Sequence, residues 1–297
     1  MTDTNLGHPS PLAANAKGAG EPEPLPQTPS NLAQRRSSSY TLAFEDLAFL
    51  RREDMRDVRF QLEYAKADTL LREWGIRSTI IVFGSARIPS PEQAQLLLDA
   101  ARTPEEIAHA ENRAMQVHLY EAAREFGRIA SERGGAFAPK NRWRDNVIAT
   151  GGGPGAMEAA NRGAFEIGAP TIGFNITLPH EQQPNPYTTP ELTFQFHYFA
   201  MRKMHLAIRA NALVVFPGGF GTLDELFEVL TLEQTGRAQT PVVLFDKAYW
   251  SKIINFEALA EAGMIAPKDL DLFTYADTPE DIWSHLVARG VLDAHPG

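Results

Sequence analysis

The 297-residue sequence contains no cysteine. Disulfides, thiolate metal sites and cysteine nucleophiles are therefore excluded together. No apolar run approaches the roughly 20 residues that span a bilayer, and the amino terminus lacks the basic-then-apolar pattern of a secretory signal. Basic residues are outnumbered: 28 Lys and Arg against 37 Asp and Glu leave a net charge of −9. A nucleic-acid partner needs clustered cations along its phosphate backbone, so that class is set aside. A small anion held by local groups is not. Histidines at metal-ligand spacing are absent, and neither a metal nor another cofactor is expected. The P-loop pattern is missing too, as is a Gly-x-Gly-x-x-Gly turn followed by an acidic residue on the next strand end. Triphosphate and dinucleotide sites are thereby disfavoured. A soluble cytoplasmic protein is the expectation these absences leave.

What is present is a 43% hydrophobic chain, enough for one substantial core with extensions. Residues 1–39 are rich in Pro, Ala, Ser, Gly and Gln, and such a segment buries too little apolar surface to offset its ordering entropy. It is expected to be a disordered tail. Residues 40–75 mix spaced apolar residues (Leu47, Leu50, Met55, Phe60, Leu62, Leu70) with many charges, which predicts a helical lead-in. The main domain occupies residues 76–297. Its strands are predicted at 78–83, 146–150, 171–175, 192–197, 212–216, 242–245 and 272–275, with helical patterns between most of them. The long helical stretch 91–133 is expected to break near Thr103-Pro104. Strands alternating with helices predict an α/β fold: a Rossmann-like open parallel sheet with helices on both faces, plus the N-terminal helical extension.

Glycine turns follow three of these strands, at Gly84, at Gly151–Gly155 and at Gly218–Gly221. Ligands of open α/β sheets bind at the carboxyl ends of strands, where all three turns fall. Gly84 taken alone is an ordinary turn glycine. Together the turns make Gly84, Ser85, Gly152 and Gly153 candidates for substrate binding. The turn Pro217-Gly-Gly-Phe-Gly-Thr222 lies between a buried strand and an amphipathic helix. Backbone N–H groups at such a helix start, aided by the helix dipole, suit a phosphate. Gly218, Gly219, Phe220, Gly221 and Thr222 are the binding candidates there.

Glu225 admits two roles. Thr222-x-x-Glu225 fits a capping box, in which the carboxylate reaches back to the helix start. Equally, a carboxylate on the ligand edge could act on a sugar or a water. Arg202 and Lys203 are two cations near a helix start, where they oppose the dipole and call for a compensating anion. Glu181 lies in a long proline-rich loop, 177–190, and by itself is an ordinary solvated carboxylate.

Pro217-Gly-Gly-Phe-Gly-Thr-Leu-Asp-Glu225, with Arg202-Lys203 upstream, resembles the PGGxGTxxE family. That family is labelled lysine decarboxylase-like and also called LOG, after cytokinin-activating phosphoribohydrolases. Gly151-Gly-Gly-Pro-Gly-Ala-Met-Glu-Ala-Ala-Asn161 and Leu178-Pro-His-Glu-Gln-Gln-Pro184 resemble its bacterial nucleotide nucleosidase branch. The resemblance covers residues 76–290. It implies a Rossmann-like fold and hydrolysis of the N-glycosidic bond of a nucleoside 5′-monophosphate to free base and ribose 5-phosphate; AMP-like purine nucleotides are the expected substrates, with cytokinin riboside monophosphates as the further candidates. It implies that Arg202 and Glu225 are the catalytic pair, that Lys203 and the Gly219–Thr222 backbone hold phosphate, and that Glu181 contacts the nucleotide. It also implies a homodimer or higher homo-oligomer with sites near the interface. A nucleotide- or cofactor-binding carrier without catalysis is the alternative from another class.

Overall fold

The computed structural model describes residues 30–178 and 183–293. The chain divides into two compact units, Met1–Glu53 and Asp54–Gly297. The first carries α1 (Leu32–Arg36) and α2 (Leu47–Leu50). The Asp46 carboxylate caps α2 by accepting from the Phe49 N–H at 2.9 Å. Of the expected tail, residues 1–29 lie outside the described residues, and α1 shows that part of the remainder is helical rather than irregular. The continuous lead-in expected over 40–75 is interrupted. Its long helix is α3 (Arg56–Glu73), in the second unit. It turns Ala67 and Leu71 inward, and its Asp68 accepts from Arg209 at 2.6 Å.

Seven strands form the sheet of the second unit: β1 (Thr79–Phe83), β2 (Val147–Thr150), β3 (Ile172–Ile176), β4 (Thr193–Phe196), β5 (Ala210–Val215), β6 (Val242–Phe245) and β7 (Phe273–Ala276). Their order is β4-β3-β2-β1-β5-β6-β7, and every pairing is parallel. The central strands are mostly apolar because both faces are covered, with Thr79, Thr150 and Asn211 as buried polar exceptions. Side chains alternate between the faces: Ile80 and Val82 join one core, Ile81 and Phe83 the other.

Between β1 and β2 run α4 (Pro91–Ala100), α5 (Pro104–Ala114) and α6 (Val117–Arg133). Ser90 with Gln93, and Thr103 with Glu106, form capping boxes with proline at the first helical position. Those caps explain the predicted break. A second break, at Met115–Gln116, carries no such signal. The remaining helices are α7 (Ala156–Glu166), α8 (Phe199–Ile208), α9 (Phe220–Gln234), α10 (Lys247–Ile253), α11 (Phe256–Glu261) and α12 (Pro279–Ala288). α10 and α11 are two helices where the pattern suggests one, because the Asn255 side chain caps the second, accepting from the Ala258 N–H at 3.0 Å. Helices α6, α7 and α12 bury their apolar faces in one core; α3, α8, α9, α10 and α11 bury theirs in the other. Among the described residues no helix is long and apolar enough to cross a membrane.

Sheet growth reverses at β1. Strands β2, β3 and β4 add on one side, and β5, β6 and β7 on the other. That switch point opens a crevice beyond the carboxyl ends of β1 and β5. The amino ends are closed instead. Asn146 Nδ2 donates to the carbonyls of Gly134 and Val291, at 3.0 and 3.1 Å, and Asn211 Nδ2 donates to Asn146 Oδ1 and again to the Val291 carbonyl.

Helices α6 and α7 approach each other backbone to backbone. A Cβ at Gly163 would lie 1.8 Å from the Arg124 carbonyl oxygen, and one at Gly127 would lie 2.2 Å from that of Ala160. Neither partner is a flexible side chain, so an added methyl must push the helices apart. Gly163→Ala is expected to lower stability by about 1–3 kcal/mol, the usual cost of overpacking a close core. The urea midpoint should fall with an unchanged m-value.

Candidate functional site

The three glycine turns do share one edge. The β1 turn (Gly84, Ser85), Gly151 of the β2 turn and the β5 turn (Pro217–Thr222) wall a cavity of about 920 Å³. Asn175, Arg202 and Tyr249 complete much of the wall.

The β5 turn is built differently from the capping box. Gly219, not Thr222, is the N-cap residue of α9, and no side chain caps the helix. Thr222 sits inside the first turn, packed so closely on Gly218 that a Cβ there would be 2.1 Å from its hydroxyl oxygen. Glu225 is thus freed from capping, which removes the structural role the spacing suggested. The N–H groups of Gly218, Gly219, Phe220 and Gly221 donate to no group among the described residues. Consecutive unpaired donors at the positive end of α9 make an anion-binding concavity. Tyr249 orients part of it, since its hydroxyl donates to the Gly218 carbonyl at 2.7 Å. Because the peptide is planar and trans, the Gly219 N–H must point the opposite way. Burial pushes the Tyr249 phenol up, so it remains a donor. Asp246 holds Tyr249 in turn, adopting a left-handed conformation (φ 70°) while its carboxylate accepts from the Tyr249 N–H at 3.0 Å.

The β2 turn is held by a buried amide network. Thr150 Oγ1 accepts from the Gly152 N–H at 2.9 Å and donates to Asn161 Oδ1 at 2.7 Å. Asn185 Nδ2 donates to the same oxygen and to the Gly153 carbonyl, at 3.0 and 3.1 Å. Gly152 and Gly153 therefore frame the turn and do not line the cavity, contrary to the expectation of direct contact. Gly155, at φ 75°, would drive a Cβ to within 2.2 Å of the Ser85 carbonyl oxygen, so its glycine ties the β1 and β2 turns together. Asn161, Asn185 and Tyr249 were not singled out from the sequence. Their only signal is an amide or phenol near a glycine turn, which is weak without the fold.

Arg202 and Glu225 come together across α8 and α9, with Nη1 3.6 Å from Oε1 and both residues under 10% exposed. Arg202 Nε donates to the Phe174 carbonyl at 2.7 Å, its guanidinium carbon lies 5.8 Å from the Phe83 ring centroid, and a Cβ at Gly151 would strike Nη2 at 2.5 Å. The guanidinium therefore sits over the ends of β1, β2 and β3. Burial pulls it below its ordinary value, against the pull of Glu225 and Asp224. Burial pushes the Glu225 carboxyl up to about 7, with Arg202 and Lys203 opposing the shift. A carboxyl poised there exchanges protons at neutral pH.

Lys203 departs from its expected role. Its ammonium lies between the Asp224 and Glu228 carboxylates, at 2.8 and 3.0 Å, on the outer side of α9 and away from the cavity wall. The anions that the two cations of α8 demand are supplied by α9 and not by a ligand. Glu181 and His180 lie outside the described residues. His197 is exposed, and His205 is buried against Tyr64, with ring centroids 5.2 Å apart, behind the cavity wall.

Comparison with known proteins supports the motif. Residues 157–286 match the model of a family described as "Possible lysine decarboxylase". The chain is 27% identical over 141 residues to cytokinin riboside 5′-monophosphate phosphoribohydrolase LOG3 of Arabidopsis thaliana, a stretch covering 46% of this chain and 64% of that protein. It is 26% identical over 147 residues to the probable enzyme of that name, LOGL6, of Oryza sativa subsp. japonica, covering 48% and 58%. The chain resembles the LOG family. The family-model match, residues 157–286, holds α8, the β5 turn and α9, and so both members of the buried pair. The aligned stretches span about three-fifths of the length of these two LOG relatives. A solved X-ray structure of a structural-genomics target covers 71% of this chain and 99% of its own, at 19% identity and a TM-score of 0.44.

The raised carboxyl has a signature in stability. Between the ordinary value of 4.5 and about 7 the folded state holds a proton that the unfolded state has released, so stability falls as pH rises through this window. Glu225→Gln removes that slope. From pH 5 to pH 8 the variant should gain on the wild type by up to about 3 kcal/mol, at 1.36 kcal/mol per pH unit. Urea midpoints of both proteins at the two pH values test this, and an unchanged difference would show that Glu225 is not shifted.

Proposed function

We propose that this protein hydrolyses the N-glycosidic bond of a nucleoside 5′-monophosphate, AMP-like, giving free base and ribose 5-phosphate. The carrying observation is one cavity walled by four backbone N–H groups at a helix start, unpaired among the described residues, and by Arg202, whose guanidinium is paired with the buried Glu225 carboxyl behind it. The turn would hold the 5′-phosphate and Arg202 would approach the sugar, with Glu225 directly behind it. Breaking the bond develops positive charge on the ribose. The Glu225 carboxylate stabilises that charge or takes a proton from water as its oxygen bonds to C1′, while the departing base carries away the bonding electron pair and is then protonated. Arg202 keeps Glu225 oriented and, by its charge, increases the ionised fraction. The names of the relatives, phosphoribohydrolases acting on cytokinin riboside 5′-monophosphates, agree with this chemistry. Decarboxylation of lysine through a pyridoxal Schiff base has less support, because no lysine is among the described residues lining the cavity.

Incubation with AMP, GMP, CMP, UMP and isopentenyladenosine monophosphate tests the proposal. Base release from at least one is expected, and binding without release would favour the carrier alternative. Glu225→Gln should lower kcat by at least about 100-fold. The wild-type rate should rise with pH through about 7, as the reactive carboxylate forms.

We extend the proposal to assembly. Phe220 (91% exposed), Leu223 and Phe227 run along one side of α9, from the cavity mouth into a groove of about 510 Å³. A large aromatic left so bare at a site suits cover by a second copy of the chain. Phe227→Glu should convert a dimer to a monomer in light scattering after gel filtration; an unchanged mass would place the interface elsewhere.

A further inference from the structure

Asn175 lies at the carboxyl end of β3, is 8% exposed and lines the cavity. Its Nδ2 has no hydrogen-bond partner among the described residues. Buried amides are ordinarily paired, and an unpaired one costs free energy that a ligand can recover. The side chain is also boxed in. A Cβ at Gly152 would lie 2.3 Å from Nδ2, and one at Gly173 would lie 3.3 Å from it. The two glycines leave room for the carboxamide and restrict where it can move.

Position along the sheet edge says what it meets. The β5 turn is the anion end. The Arg202 guanidinium, beside Glu225, lies over the next two strand ends, of β1 and β2, and its Nε reaches the Phe174 carbonyl at the near side of β3. β3 is the next strand, three spacings from β5, or about 14 Å. A nucleoside 5′-monophosphate has the same sequence of parts: phosphate, then C1′, then base. With phosphate on the β5 turn and the sugar at the Arg202–Glu225 pair, the base reaches Asn175. A carboxamide presents one donor and one acceptor side by side. That pattern is the complement of the adenine N6/N7 edge, and it mismatches guanine, whose O6 and N7 are both acceptors.

Resting on the phosphoribohydrolase proposal, we infer that Asn175 is a specificity-determining residue that grips the base and selects 6-aminopurine over 6-oxopurine nucleotides. The test measures base release from AMP and GMP by the wild type and by Asn175→Ala, together with the affinity of each for ribose 5-phosphate. The variant should lose about tenfold in kcat/KM on AMP and much less on GMP, with ribose 5-phosphate affinity unchanged. An unchanged AMP-to-GMP ratio overturns the inference. So does parallel loss of ribose 5-phosphate affinity, which would mark a structural role. Should the wild type release base from none of the five monophosphates, the hydrolase proposal falls, and calorimetric AMP binding then decides for Asn175 alone: equal affinity in wild type and variant overturns it. If Asn175→Ala does not fold, the isosteric Asn175→Asp, which lacks the donor, replaces it in the same measurements.

Discussion

Two opposite charges buried beneath the sheet edge govern much of this protein's geometry. Removing either Arg202 or Glu225 would strand the other in a low-dielectric setting, a loss of about 3–5 kcal/mol in comparable pairs. The pair therefore constrains its neighbours. Gly151 must lack a side chain because Arg202 Nη2 occupies that space. The Phe174 carbonyl is turned to accept from Arg202 Nε. Helices α8 and α9 must meet at a fixed height, and the Lys203 bridges to Asp224 and Glu228 reinforce this from the outer side. The same burial that makes the pair demanding gives Glu225 a proton affinity suited to catalysis at neutral pH.

Around that pair the fold separates rigid support from open binding groups. The amides of Asn161 and Asn185 are satisfied by framework atoms and hold the β2 turn in place. The Tyr249 hydroxyl is likewise committed to Gly218. By contrast, the N–H groups of the β5 turn and the Asn175 amide nitrogen have no protein partner among the described residues. Paired groups define the cavity's shape, while the unpaired groups mark where a polar ligand must supply what the chain does not.

Much of this was legible in the sequence. Apolar runs such as Thr79–Phe83 and Val242–Phe245 announce buried parallel strands because both of their faces need cover. Glycine turns at three strand ends located the site edge. The chemistry was harder to assign. Thr222-x-x-Glu225 has capping-box spacing, yet the helix begins at Phe220 with Gly219 as its N-cap, so the spacing was coincidental. The resemblance gave Lys203 a phosphate, whereas the anions beside it are carboxylates of α9, more than twenty residues away in sequence. Gly152 and Gly153 sit in a turn that faces the site, but the Gly152 N–H is taken by Thr150 and both glycine carbonyls by Asn185. Pairings of that kind depend on how helices cross, and no local pattern encodes them.

The Asn146–Asn211–Val291 stitch closes the amino ends of the strands, opposite the cavity. Strands of this length put about 15–20 Å of packed sheet between the two edges. Val291 thus lies on the blind side of the domain. A protein tethered to a bead or sensor surface at that edge would turn the cavity edge of the sheet away from the surface.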